Sequence, residues 1–234
     1  MNKPALSIVL PCYNPQEGWK ENIVANVQTI AQRVTSLEVI IVNDGSSSID
    51  AIDAQQYFQS FGNITFHTYI TNMGKGYALR EGVKLAKGNL TIYTDIDFPY
   101  TQQSFEAILA ALKQGSDVAI GIRGAEYYTH LPKARIYISK FLRFLIRTML
   151  RIPTDDTQCG LKGFNQKGKE VFLQTTINRY LFDLEFVFLS ARNKLAIKTV
   201  EVELREGIQL STMRIGVLLQ EGGNFLSVLW RSLF

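Results

Sequence analysis

Two acids, Asp95 and Asp97, stand two apart directly after the apolar run at 90–94. At a strand end, side chains two apart leave the same face. Both carboxylates can therefore share a hard divalent cation, Mg2+ or Mn2+, which also takes phosphate oxygens and water. As a bare pattern the pair reads as readily as two solvated turn acids. Its position favours chemistry, because three other polar clusters also follow apolar runs: Pro11-Cys12-Tyr13-Asn14, Asn43-Asp44-Gly45-Ser46 and Asn72-Met73-Gly74-Lys75-Gly76. Asp44 can accept from the N–H of a nucleobase, with Gly45 permitting a close backbone turn; an Asx-turn ending a strand is the equal alternative. The 72–76 stretch offers backbone N–H groups and the Lys75 cation at a helix start, a setting for phosphate. It fits neither GxGxxG nor a Walker A loop. Arg123, between Gly121 and Gly124, is placed to hold a phosphate bidentately, against the plain alternative of a surface arginine.

The elements that must position these groups alternate. Residues 5–10 and 37–42 are short apolar runs that read as buried strands, the first stopped by Pro11. Between them Ile23, Val27, Ile30 and Val34 recur at helical spacing. Further strands are expected at 64–70, 90–94 and 117–122, with helices at 75–86 and 102–114. This order predicts a mostly parallel α/β sheet flanked by helices, with ligands beyond the carboxyl ends of its strands, where the polar clusters lie. After about residue 133 the alternation breaks into a basic helix, a Gly-containing segment at 158–164, a helix headed by Asp183, a strand at 196–204 and an apolar tail. With no repeat and no linker in its 234 residues, the chain reads as a single domain.

At 46% hydrophobic and 20% charged, the composition excludes disordered, collagenous and solenoid chains. Cys12 and Cys159 form no CxxC pair, which argues against a disulfide framework or structural zinc and suits a reducing compartment. No uncharged apolar run reaches 18 residues and the N-terminus lacks a signal pattern, so the expectation is a chain neither secreted nor spanning. The net charge of +4 is local: 133–151 holds Lys133, Arg135, Lys140, Arg143, Arg147 and Arg151 with no acid, and the remainder is net acidic. One anionic partner at one place fits this better than nucleic acid. Within 136–151 the basic residues recur every three or four positions, opposite Phe141, Leu142, Leu145, Ile146 and Met149. Such a helix can lie in an anionic membrane interface, or pack as a core helix with a solvated face.

Five pieces in order, Val9-Leu10-Pro11-Cys12-Tyr13-Asn14, Val42-Asn43-Asp44-Gly45-Ser46, Asn72-Met73-Gly74-Lys75-Gly76, Asp95-Ile96-Asp97 and Asp156-Thr157-Gln158-Cys159-Gly160-Leu161-Lys162, resemble the motifs of family 2 glycosyltransferases with a GT-A fold. The last, with Phe182-Asp183-Leu184-Glu185, is similar to dolichyl-phosphate glucosyltransferases and related polyprenyl-phosphate enzymes. The resemblance runs from about 5 to 205. It implies a Rossmann-like nucleotide-sugar half (about 1–125) and an acceptor and membrane-facing half (about 126–234). The implied reaction is inverting transfer of a hexose from a nucleotide sugar, UDP-glucose before GDP-mannose, to a polyprenyl or dolichyl phosphate on the cytoplasmic membrane face.

By motif position the resemblance places Pro11, Tyr13, Asn14, Asp44, Gly74, Lys75 and Asp95 around the nucleotide. Asp95 and Asp97 would hold the metal, and Arg123, Arg135 and Ser139 would face the acceptor phosphate. Asp97, Arg123, Arg135 and Asp156 would serve the reaction itself, with Asp183 and Glu185 orienting. Two departures stand out. Pro15 replaces the glutamate of a YNE motif, leaving Glu17 as substitute, and Pro99 replaces a metal-binding glutamine of mannosyl relatives. A lipid phosphate suits the shortage of bases, since a phosphate monoester is already largely dianionic at neutral pH. The alternative enzyme extends a saccharide and needs a carboxylate base, Asp156 or Asp183. A non-catalytic binding module has no use for the paired acids, and a nucleotidyltransferase needs a Gly-rich loop after the first strand. Homo-oligomerisation stays open.

Overall fold

The computed structural model describes residues 3–124, 152, 154, 156–206, 223–225 and 228. Arg135, Ser139, the basic stretch 136–151 and most of the C-terminal tail lie outside the described residues.

Seven strands form one sheet in the order β3-β2-β1-β4-β6-β5-β7. β1 (Leu6–Cys12), β2 (Leu37–Asp44), β3 (Ile64–Tyr69) and β4 (Leu90–Tyr93) pair in parallel, as do β5 (Val118–Arg123) and β7 (Ile197–Val202). The three-residue β6 (Lys162–Phe164) lies antiparallel between β4 and β5. The mostly parallel α/β reading is met, and the antiparallel insertion is new. A Lys-Gly-Phe strand has no alternation to announce it.

Successive strand residues face opposite layers. Leu6, Ile8, Leu10, Val39, Ile41 and Ile92 pack with α1 (Trp19–Ala31), α2 (Ala51–Gln59) and α4 (Gln102–Lys113). Val9, Ile40, Val42, Tyr93, Val118 and Ile120 pack with α3 (Lys75–Leu85), α5 (Gln166–Phe172) and α6 (Phe182–Arg192). On that second face the rings of Tyr93, Phe164, Phe172, Phe182 and Phe186 interlock, with centroids 5.0 to 6.3 Å apart. Each buried ring contributes roughly 1.5–3 kcal/mol. This cluster fixes α6, and with it Asp183, against the back of β4.

β1 is not stopped by Pro11. It runs to Cys12, paired with β2 throughout. Val9 accepts from Thr94 N on the β4 side, and Pro11, two residues on, faces the same side after β4 has ended at Tyr93. Its missing N–H therefore interrupts no ladder. The divergence of β1 from β4 at this point opens the crevice into which Asp95 and Asp97 project. Helix α2, not anticipated from the sequence, begins where Asp50 accepts from Ile52 N and Asp53 N.

Candidate active site

Past β4 the chain turns, Phe98 N donating to the Asp95 carbonyl at 3.0 Å with Phe98 at φ 49°. Asp95 is partly exposed and Asp97 exposed. Desolvation at the strand end, then the like charge of Asp95, raises the Asp97 carboxyl above the usual carboxylate value. Two neighbouring carboxylates of like charge form a donor set that gains from a cation. A divalent ion held by one or two carboxylates and completed by phosphate oxygens fits these residues. Among the described residues no cluster of three metal-ligating side chains occurs.

Lys75 already faces this acid pair. Its ammonium is ion-paired with Asp95 Oδ1, the two side chains being 24% and 38% exposed. Burial works against the Lys75 charge, but Asp95 and Asp183 outweigh it and hold its pKa above the ordinary lysine value. Asp183 is itself fixed: Oδ1 accepts from Tyr93 Oη at 2.5 Å and from Lys162 Nζ at 2.6 Å. Lys162 is wholly buried and also donates to the Cys159 carbonyl. Negative and positive groups thus alternate from the crevice inward, Asp95, Lys75, Asp183, Lys162. Neither the role of Lys162 nor that of Tyr93 is evident from the sequence, where a lysine just before Gly163-Phe164 is the one available signal.

The loops after β1, β2 and β3 are knitted together differently from the expectation. Asp44, 3% exposed, accepts from Tyr69 Oη (2.8 Å) and Met73 N (2.7 Å) on one oxygen and from Asn72 Nδ2 (3.0 Å) and Gly74 N (2.9 Å) on the other. A carboxylate offers about four lone-pair sites, and four protein donors take them. In this structure Asp44, expected to meet a nucleobase, braces the 72–74 loop. The amides of the 72–76 stretch, expected to face phosphate, have protein partners too. Met73 N and Gly74 N serve Asp44, while Gly76 N (2.7 Å) and Tyr77 N (3.2 Å) donate to the Asn178 carbonyl. That carbonyl caps α3 so closely that a Cβ on Gly74, at φ 104°, would lie 2.5 Å from it.

Asn14, at φ 44°, also braces: Oδ1 accepts from Ser47 N at 3.1 Å and Ser48 N at 3.3 Å. Tyr13 stands 55% exposed beside it, a ring open to stack on a base, and Glu17 is exposed before α1. Pro11 lines the same strand end.

On the other side of the crevice, Asp156 takes Arg123 N at 2.7 Å and Nε at 3.0 Å, and Nη2 completes a fork. The bidentate edge of Arg123 expected to grip a phosphate faces Asp156 instead. Asp156 is 4% exposed and Arg123 15%. Glu185, also buried, accepts from Thr176 N and Ile177 N, both at 2.8 Å, and so shapes the loop whose Asn178 caps α3. Gly160 presses on the acid pair: a Cβ there would fall 2.6 Å from Asp95 Oδ2. Its N–H donates to Tyr100 Oη at 2.9 Å. In this pinned segment Thr157 Oγ1 and Gln158 Nε2 are buried without a hydrogen-bond partner. A cavity of about 420 Å³ flanks the turn, lined among others by Thr94, Phe98, Tyr100, Leu161 and Arg205. No helix among the described residues is long and apolar enough to cross a membrane.

Residues 7–172 match the family described as Glycosyl transferase family 2. The chain belongs to that family. It is 26% identical over 237 residues to a dolichyl-phosphate beta-glucosyltransferase of Trichomonas vaginalis, covering 95% of this chain and 72% of that protein. Enzymes of the same name from Drosophila melanogaster (27% identical) and Homo sapiens (26%) each align over 86% of this chain and 67% of their own length. Among solved structures, mannosyl-3-phosphoglycerate synthase from Rubrobacter xylanophilus superposes with a TM-score of 0.71 at 15% identity, covering 98% of this chain and 74% of that one. Glucosyl-3-phosphoglycerate synthase from Mycobacterium tuberculosis, solved with Mn2+, UDP and glucosyl-3-phosphoglycerate, gives 0.60 at 17%, covering 98% and 80%. This glycosyltransferase has the GT-A fold.

Proposed function

We propose that this family 2 glycosyltransferase moves glucose from UDP-glucose to a polyprenyl or dolichyl phosphate, with inversion, at the cytoplasmic face of a membrane. The relatives' shared name supports the lipid-phosphate acceptor, and their alignment extends past the acids at 95–97 through the second half of the chain. The observation that carries the reading is the state of Asp156 and Asp183. An enzyme that extends a saccharide needs a carboxylate to take the hydroxyl proton. Both candidates are instead buried in ion pairs, with Arg123 and Lys162. A phosphate acceptor needs no such base. The nucleophile needs to be positioned, which is what a pinned wall at 156–162 can do.

In this reading Asp95 and Asp97 hold Mg2+ or Mn2+, which when bound stabilises the departing nucleoside diphosphate. Tyr13 stacks on the base while Asp44 and Asn14 keep the loops around it in place. The unpartnered Thr157 hydroxyl and Gln158 amide are donors for the sugar or phosphate oxygens that enter between the two walls. Arg135 and Ser139 meet the acceptor phosphate, and the basic stretch 136–151 rests on anionic lipid. Supplying the protein with UDP-glucose and either a polyprenyl phosphate or a free oligosaccharide, followed by mass spectrometry of the products, tests the proposal. A hexosyl phosphoprenol is the expected product; glycosylated oligosaccharide with the lipid left untouched would refute it.

A further inference from the structure

Any divalent ion that binds Asp95 must first contend with Lys75. The ammonium lies on Asp95 Oδ1, the more solvent-open of its acidic neighbours, while its other acidic neighbour, Asp183, is locked by Tyr93 and Lys162. Asp183 cannot follow Lys75 outward. Asp95, at a half-open strand end, can change partner. The loop that carries Lys75 has meanwhile committed four backbone amides to Asp44 and Asn178, and the long, rotatable lysine side chain is a group it can still offer a phosphate.

We propose that Lys75 is a stand-in cation: it neutralises Asp95 while the donor site is empty and transfers to the donor's diphosphate when a divalent ion takes its place. The exchange keeps charge balanced in both states. Without ligand, Lys75 offsets the repulsion between Asp95 and Asp97 and holds the 95–98 turn in shape. With ion and nucleotide bound, Asp95 would be neutralised without Lys75, and the lysine would turn to the diphosphate as its new anion. The inference rests on the reading of Asp95 and Asp97 as the metal and donor site.

The test is binding, with Mn2+ and UDP as probes and the full chain as the protein. Calorimetry or electron paramagnetic resonance should find Mn2+ alone bound about tenfold more tightly by Lys75→Met than by wild type. UDP at saturating Mn2+ should bind the same variant about tenfold more weakly. Lys75→Arg should stay near wild type in both. A fixed strut predicts otherwise, and Mn2+ affinity unchanged or reduced in Lys75→Met overturns the exchange while leaving the donor reading intact. Wild-type protein that binds neither probe overturns both. A second measurement needs no variant: acetylation of Lys75, read by mass spectrometry, should rise severalfold on adding Mn2+ and fall below its starting rate when UDP follows. An acetylation rate indifferent to both ligands would overturn the exchange.

Discussion

The two walls of the crevice are held by different forces. On the side formed by the loops after β1, β2 and β3, the buried Asp44 and the exposed Asn14 accept from backbone amides and uncharged side chains. On the opposite side, residues 156–162 and the start of α6 are tied by ion pairs buried almost to exclusion, Arg123 with Asp156 and Lys162 with Asp183. Hydrogen bonds from uncharged donors tolerate small movements better than a buried ion pair does. Buried charges are costly to bring in and hold position because any separation strands a desolvated ion. The wall at 156–162 is therefore the stiffer, which suits the proposed transfer to a phosphate, a nucleophile that has only to be placed.

The largest effect should come from breaking the stiffer wall. Lys162→Met leaves Asp183 buried with only the Tyr93 hydroxyl and the distal Lys75, and should cost roughly 3–5 kcal/mol of stability. Pairing it with Asp183→Leu should recover part of that loss by thermal or urea denaturation, but not the transferase rate. If the single variant costs under about 1 kcal/mol, the pair is not what stiffens this wall.

Next in size is Asp97→Asn, which withdraws a charged oxygen from the acid pair without touching either wall. Turnover should fall at least about 100-fold, equivalent to about 2.7 kcal/mol, with an unchanged melting temperature. A drop in turnover that vanishes in excess chelator, because wild type is equally slow there, would confirm the ion as the shared cause. Full wild-type activity under chelation would sink the metal assignment.

Asp44→Asn sharpens the comparison from the softer side. An amide in place of the carboxylate turns one pair of incoming donors against an N–H group, and should cost about 2 kcal/mol. Because Asp44 braces a loop and does not reserve its oxygens for a ligand, UDP affinity and melting temperature should fall together. Weakened UDP binding at an unaltered melting temperature would return Asp44 to the base-binding role expected from the sequence.

That difference between the walls also governs what the sequence reveals. β1, β2, β4 and β5, buried along most of their length, print themselves as apolar runs. The edge strand β3 opens on an alternation with Ile64 and Phe66 inward, so these strands and the acids that follow β4 are readable directly. Helix α2 buries only Ala54 and Phe58, too sparse a stripe to recognise, although the Asp50 cap stood in view. β6 is invisible because its first residue is a lysine whose partner lies 21 positions away. The same cause hid the site's wiring. Asp44 and Arg123 stand out by residue type and place and Asp156 by its motif, yet their partners come from distant segments that the sequence pattern does not connect.

The smallest predicted effect lies at the seam between the halves, away from the crevice. Asp117 opens β5, accepts from Asn165 Nδ2 at 2.8 Å and Ala196 N at 3.0 Å, and stands 3.5 Å from Lys167 Nζ. The Ala196 amide first, and then Asn165, hold its carboxyl below the usual carboxylate value. A depressed folded pKa stabilises the protein above the unfolded value, near 3.9, and that contribution disappears as the pH falls through the folded pKa. Asp117→Asn should therefore cost about 1 kcal/mol at neutral pH, and the gap to wild type should close below about pH 4. Turnover per folded molecule should not change. A gap that persists unchanged in acid would mean that Asp117 acts through its shape as an acceptor and not through its charge, as the Asn14 brace does.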